Sequence, residues 1–297
     1  MLLARDIYFL LLLPFLTLIA WASPRSFWSW LARLVSRFTS GLFIGGIPRR
    51  TKRLSRRFKW PANKAKGLLR ALAGEQLIWL LEIIAMNRPG ACPARIDVEG
   101  AEGPLSAVAE GRGAILWWSP SAHRDLVAKI GLAEAGLEIV HLSRPGHGIS
   151  SSKIGRRVLN PLVTRQEMKW LKDRAVIDPA NPVGATLKLR KTLKKGGCVA
   201  VAAAMSRHRG ASTPIRARFM NGRFPFAPGA ATLAEKTGAA LYPVVTFRQD
   251  GGYRIIVGPD LNADKAGKPR RMVRRFARWN EPQVERAPEQ WAGWLQI

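Results

Sequence analysis

Apolar positions crowd the start of the chain and later settle into short blocks. Ile7 to Ala22 reads IYFLLLLPFLTLIAWA, uncharged throughout and with Pro14 inside it. Such a run falls short of the roughly twenty residues that span a bilayer, although Trp21 and the aromatics after it extend it into the interface. Trp28, Trp30, Leu31, Leu34, Val35, Phe38, Leu42 and Phe43 then recur at near-helical spacing among arginines. This predicts an amphipathic helix with its apolar face in lipid and its arginines at the phosphates. Over residues 26–38 a core helix with a solvated basic face fits equally well.

From about residue 64 the pattern alternates. Residues 66–87 read as a long apolar-rich helix, ended by Arg88-Pro89-Gly90. A strand is predicted at 114–118, a helix at 120–135 and a strand at 137–142. Helical stretches follow at 150–159, 165–172 and 182–195, then a short buried strand at 198–204. A helix at 228–237 is closed by Gly238, strands follow at 240–247 and 253–257, and two or three helices finish the chain. Strands alternating with helices imply an α/β fold with a mainly parallel central sheet flanked by helices. The one sharp compositional break lies near residue 60. The expected organisation is an amino-terminal membrane anchor (1–23), a basic amphipathic juxtamembrane segment (24–63) and an α/β domain (64–297).

Charge narrows the function classes. Lys and Arg number 48 against 20 Asp and Glu, a net charge of +28. Such an excess calls for an anionic partner, either nucleic acid or a membrane rich in acidic lipid. The 11 tryptophans favour the membrane, because indole settles at the headgroup boundary. No zinc-finger spacing or RNP-type aromatic motif specifies a nucleic-acid module, so none is expected as a partner. Cys92 and Cys198 make no disulfide or metal pattern, and neither a metal nor a cofactor is expected. Ala20-Trp21-Ala22 fits a signal-peptide cleavage site. Against cleavage, ten basic residues from Arg25 to Lys59 follow at once and resist translocation, which keeps the body of the protein cytoplasmic.

Candidate chemistry begins at the end of the first predicted strand. Gly111-Arg112-Gly113 leads through Ala114–Trp118 into Ser119-Pro120, and Ser-Pro is a helix-opening pair. The stretch resembles the lipid A late acyltransferases (lauroyl/myristoyl type) of the lysophospholipid acyltransferase superfamily, which carry His-x4-Asp/Glu at this turn. In that family the histidine takes the proton of an acceptor hydroxyl, the carboxylate orients the imidazole, and the hydroxyl attacks an acyl thioester. Asp125 falls on the acidic position, and Pro120 stands where the histidine belongs. His123 is nearby, but in a helix begun at Pro120 its side chain and that of Asp125 would point about 200° apart. Without the family, Asp125 reads as a partner for Lys129 one turn on, and His123 as an exposed first-turn residue.

The resemblance runs to the carboxyl terminus. Leu142-Ser-Arg144-Pro145-Gly resembles the family's Arg-Pro turn, where an arginine at a strand end can hold phosphate. Gly222-Arg223-Phe-Pro-Phe-Ala-Pro-Gly229, with the small-residue helix and Tyr242-Pro-Val strand after it, resembles the turn–helix–strand region near the acceptor pocket, and Arg223 is its phosphate candidate. Ala204 stands where the family has a buried acidic residue, followed by the basic loop Arg207-His208-Arg209. Pro288-Glu-Gln-Trp291 resembles the family's terminal helix. The resemblance implies a fatty acyltransferase of the cytoplasmic face of the inner membrane. Its donor would be acyl carrier protein or acyl-CoA, and its acceptor an anionic lipid or glycolipid precursor. Asp125 and His123 would be catalytic, and Arg144, Arg223 and Arg207 would bind phosphate. The alternative is a catalytically silent relative that binds anionic lipid or an acyl-carrier partner.

Overall fold

A computed structural model describes residues 4–123, 126–150, 152–178, 180–203, 213–249, 251–264 and 267–296. Its centre is a seven-stranded sheet in the order β1-β9-β8-β2-β5-β3-β4. The strands are β1 (Arg95–Glu99), β2 (Ala114–Trp118), β3 (Ile139–Ser143), β4 (Asp173–Val176), β5 (Cys198–Ala202), β8 (Ala240–Gln249) and β9 (Gly252–Val257). Every neighbouring pair is parallel except β8 with β9. A separate antiparallel hairpin joins β6 (Ile215–Phe219) to β7 (Gly222–Phe226).

β2 is buried along its whole length, because helices cover both sheet faces and water reaches neither. Ile115 and Trp117 point to one face, where they meet α9 (Pro182–Lys194), α10 (Gly229–Thr237) and α11 (Pro269–Arg286) in one apolar cluster. Ala114, Leu116 and Trp118 point to the other, toward α5 (Glu102–Ala109) and α6 (Leu126–Glu134). Gly238 closes α10 in the left-handed conformation, at φ +73°, as its place after the last helical residue predicts. Ala230, Ala231 and Ala234 are fully buried and let α10 lie close to its neighbours.

The amino-terminal third is a helical layer. α1 (Ala4–Ala22), α2 (Arg25–Phe43) and α3 (Ile47–Phe58) all pack on α4 (Ala62–Met86). Among the described residues no helix is long and apolar enough to cross a membrane. Over its described part, the segment expected to be the amino-terminal anchor is a helix docked on the protein. Asp6 accepts a hydrogen bond from Ser150 Oγ at 2.7 Å, and Trp21 Nε1 donates to the Ile84 carbonyl at 3.1 Å. The other side of this layer stays bare, with Leu11, Phe15, Leu18, Trp30, Leu34 and Phe38 exposed. α2 buries Trp28 and Ala32 against α4, as the core-helix reading expects, and also presents an apolar face outward.

A correction concerns the junction after β2. The helix predicted from Pro120 does not form over residues 119–123, and the described helix runs from Leu126 to Glu134. Residues 119–123 instead pair with the carboxyl terminus. Ala122 N–H donates to the Gln290 carbonyl at 2.7 Å, and Ala292 N–H donates to the Pro120 carbonyl at 3.0 Å. Ser121 forms a β-bridge to Trp291.

Candidate active site

Trp291 and Gln290 close the junction. The indole of Trp291 donates to Ser119 Oγ at 3.0 Å and packs among Phe219, Phe224 and Trp294. Gln290 exchanges side-chain hydrogen bonds with the Arg248 backbone, at 2.6 and 3.0 Å. Pro120, where the resemblance expects a catalytic histidine, is buried beneath this tail and offers no titratable group.

His123 is not the exposed first-turn residue of the sequence reading; its side chain is fully buried. Nε2 lies 3.0 Å from Glu75 Oε2, and the ring meets Tyr253 edge-on. Nδ1 has no partner among the described residues. Arg248 forks onto the same carboxylate, with Nε donating to Oε2 at 2.9 Å and Nη2 to Oε1 at 2.7 Å. Burial alone would raise the Glu75 pKa, but the hydrogen bonds from Arg248 and His123 outweigh it and hold the carboxyl at about 2. Glu75 therefore ties α4, β8 and the junction together as an anion. The cavity that His123 borders has a volume of only about 10 Å³, room for no more than one water.

A second buried ionic cluster lies beyond the end of β3, anchored by α8 (Asn160–Met168). Lys129, with no exposed side-chain surface, donates to Glu167 Oε1 at 2.6 Å. Lys129 is thus paired with a residue of another helix, and Asp125, its predicted one-turn partner, lies outside the described residues. His147 Nε2 sits 2.8 Å from the same Glu167 oxygen. Burial would raise Glu167, but the Lys129 ammonium and the His147 hydrogen bond drive it far below the usual carboxylate range. His141 stacks on Trp118 with ring centroids 5.0 Å apart. Burial, reinforced by the Lys129 charge, holds His141 well below its ordinary value and hence neutral. The sequence reading missed Glu75, Arg248, Glu167, His147 and His141. The available signals were a glutamate in the apolar run of α4 and a lysine on the buried face of α6.

Arg144 is exposed at the turn after β3, and Arg223 is exposed on β7. Arg223 lines a cavity of about 950 Å³ with Lys59, Arg216, Arg218, Arg274 and Arg278, and among the described residues Glu281 is its only acidic lining residue. Neither Arg144 nor His123 contributes to that wall, so the described candidates do not share this pocket. Asp125, Arg207 and Ala204 lie outside the described residues. Beside this cavity, Arg49, Lys52, Arg53, Arg56 and Arg57 line a groove of about 640 Å³ along α3.

No curated protein matches the chain. Residues 73–296 match the family model of bacterial lipid A biosynthesis acyltransferases. The match starts inside α4, two residues before Glu75, and runs through the tail that seals the junction. The chain belongs to the bacterial lipid A biosynthesis acyltransferase family.

Proposed function

We propose that the protein rests on an anionic membrane surface and moves a fatty acyl chain from a thioester donor to a hydroxyl of a lipid or glycolipid precursor. The donor is acyl carrier protein or CoA, and the work is done at the cytoplasmic face of the inner membrane with an altered centre. The observation that carries this reading, beyond family membership, is the bare apolar face of α1 and α2 on a chain so rich in cations. Leu11, Phe15 and Leu18 are each about two-thirds exposed and Phe38 is 84% exposed. A face of this kind suits a helix layer lying in a lipid interface, with basic side chains reaching the headgroups. Within this reading Asp125 takes the family's acidic position and Arg144 and Arg223 meet phosphate. His123, sealed and bonded to Glu75, braces the junction.

The test supplies purified protein with a radiolabelled dodecanoyl thioester, on acyl carrier protein and on CoA, plus a lipid extract of the source cells. Label in the lipid fraction is expected, together with cosedimentation on phosphatidylglycerol vesicles. A second reading, a family fold that binds anionic lipid or an acyl carrier without transfer, draws on the buried Pro120 and the closed junction. Vesicle binding with no labelled lipid would favour that second reading over the first.

A further inference from the structure

We infer that the general base of this protein is His147, oriented by Glu167, in the turn after β3. This rests on the acyl-transfer reading and adds to it the residue that takes the proton.

A general base needs one nitrogen fixed by an orienting acceptor and the other open to substrate. At His123 both ring nitrogens are sealed in, one of them against Glu75. At His147 the arrangement is the useful one. Nε2 faces a carboxylate oxygen at 2.8 Å, while 21% of the side chain remains exposed. Nδ1 has no partner among the described residues. With Nε2 carrying the hydrogen toward Glu167, the Nδ1 lone pair points away from the carboxylate.

The orienting group is unusually firm. Glu167 is 1% exposed and is gripped on the same oxygen by a lysine with no exposed side-chain surface. That lysine also sits over the Trp118 ring, 5.5 Å from its centroid. An anion fixed here stabilises the imidazolium that forms when His147 takes a proton, the role a carboxylate plays behind any catalytic histidine. The turn is fixed as well. Gly148 adopts φ +138°, and a side chain there would meet Asn160 at 2.4 Å. Asn160 in turn clamps Ser150, accepting from its N–H at 2.8 Å and donating to its carbonyl at 2.9 Å.

The location fits the family's chemistry displaced sideways. Trp118 is the last residue of β2, so it opens the junction where the family histidine would stand. It stacks on His141, whose ring centroid is 6.0 Å from that of His147. Arg144 lies exposed in the same turn, and its carbonyl accepts from His147 N–H at 3.1 Å. The reaction balances without a cofactor. The acceptor hydroxyl gives its proton to Nδ1 while its oxygen bonds to the thioester carbonyl carbon. The tetrahedral intermediate then collapses, the carbon–sulfur bond breaks, and the imidazolium returns the proton to the leaving thiolate.

The experiment uses the whole chain, the labelled dodecanoyl thioester and the lipid extract, and also follows thioester hydrolysis without acceptor. His147→Gln is expected to slow both by roughly 100- to 10,000-fold with unchanged circular dichroism, and to remove the acidic limb of the rate–pH profile. Imidazole added to His147→Ala should restore part of the rate, which a structural role would not allow. Glu167→Gln should lower kcat with little change in KM. If wild type turns over and His147→Gln keeps its rate and pH profile, His147 is not the base although the acyl-transfer reading stands. If wild type makes no labelled lipid and hydrolyses no thioester, both fall together.

Discussion

Glu75→Gln isolates the contribution of one buried anion. The amide keeps the size of the side chain but loses the charge, and because Arg248 donates to both carboxylate oxygens it must turn an N–H toward a guanidinium N–H that cannot accept it. A carboxyl held at about 2 against an ordinary value of 4.5 corresponds to roughly 3 kcal/mol in favour of the ionised form within the fold. Breaking a buried ion pair by removing one partner costs about 3–5 kcal/mol, a similar size. Because the folded value is depressed, this stability is complete above the unfolded carboxyl value and disappears as pH falls toward 2. Urea unfolding followed by tryptophan fluorescence should therefore show Glu75→Gln about 3 kcal/mol less stable at pH 7, a melting point lower by roughly 6–12 °C. The difference should narrow by about 1 kcal/mol at pH 4 and about 2 kcal/mol at pH 3. A difference under about 1 kcal/mol at pH 7, or one that does not change with pH, would refute the assignment of Glu75 as an ionised tie.

Other consequences follow from the same reasoning. His141 is neutral in the fold while the unfolded chain takes up its proton below about pH 6.5, so stability should decline by up to ~1.4 kcal/mol per pH unit below that point. His141→Asn should flatten this slope in the same urea titration. Trp291→Ala removes a 3%-exposed indole and its bond to Ser119, and should cost about 3–5 kcal/mol in calorimetry. Phe38→Ser and Trp30→Ser, on the bare face, should each weaken partition onto phosphatidylglycerol vesicles by roughly tenfold or more. Neither should shift the melting point by more than a degree or two, since surface changes are usually within about 0.5 kcal/mol. Raising salt from about 50 to 500 mM should weaken the same partition, because the Debye length contracts and the α3 cations are screened.

What was legible in the sequence follows from which forces are local. β2 and α10 were legible because an apolar run bounded by glycine and a helix closed by Gly238 declare themselves within a few residues. The junction was not, since Ser119-Pro120 is a sound local helix opener and the competing partners, Gln290 to Ala292, lie about 170 residues away. Tertiary pairing overrode propensity there. The β6–β7 hairpin was hidden by its short strands and the proline at position 225. The ionic clusters were hidden for another reason. A charged residue on an apolar helix face signals that a partner must exist, but nothing in the spacing of Glu75, His123 and Arg248, or of Lys129, His147 and Glu167, says which partner it is.

The two clusters also explain why the chemistry can move without the fold moving. In an α/β sheet the loops beyond the strand carboxyl ends share one rim, so a catalytic group can pass from one loop to the next while the sheet stays as it is. Here the β2 loop is stitched to the tail through Ser119, Pro120, Ser121 and Ala122, and its histidine is used up in holding Glu75. The β3 loop keeps a partly exposed imidazole backed by a buried, charged carboxylate. Losing a general base costs about two to four powers of ten in rate, or roughly 3–5 kcal/mol. A base supplied one loop away recovers that only if the acceptor hydroxyl also shifts toward β3. Arg144 is the charged group in the right turn to draw a phosphorylated acceptor there. Arg144→Gln should accordingly raise KM for the acceptor while leaving acceptor-free thioester hydrolysis at the wild-type rate. An equal loss in both assays would mean that the arginine supports the turn rather than the substrate.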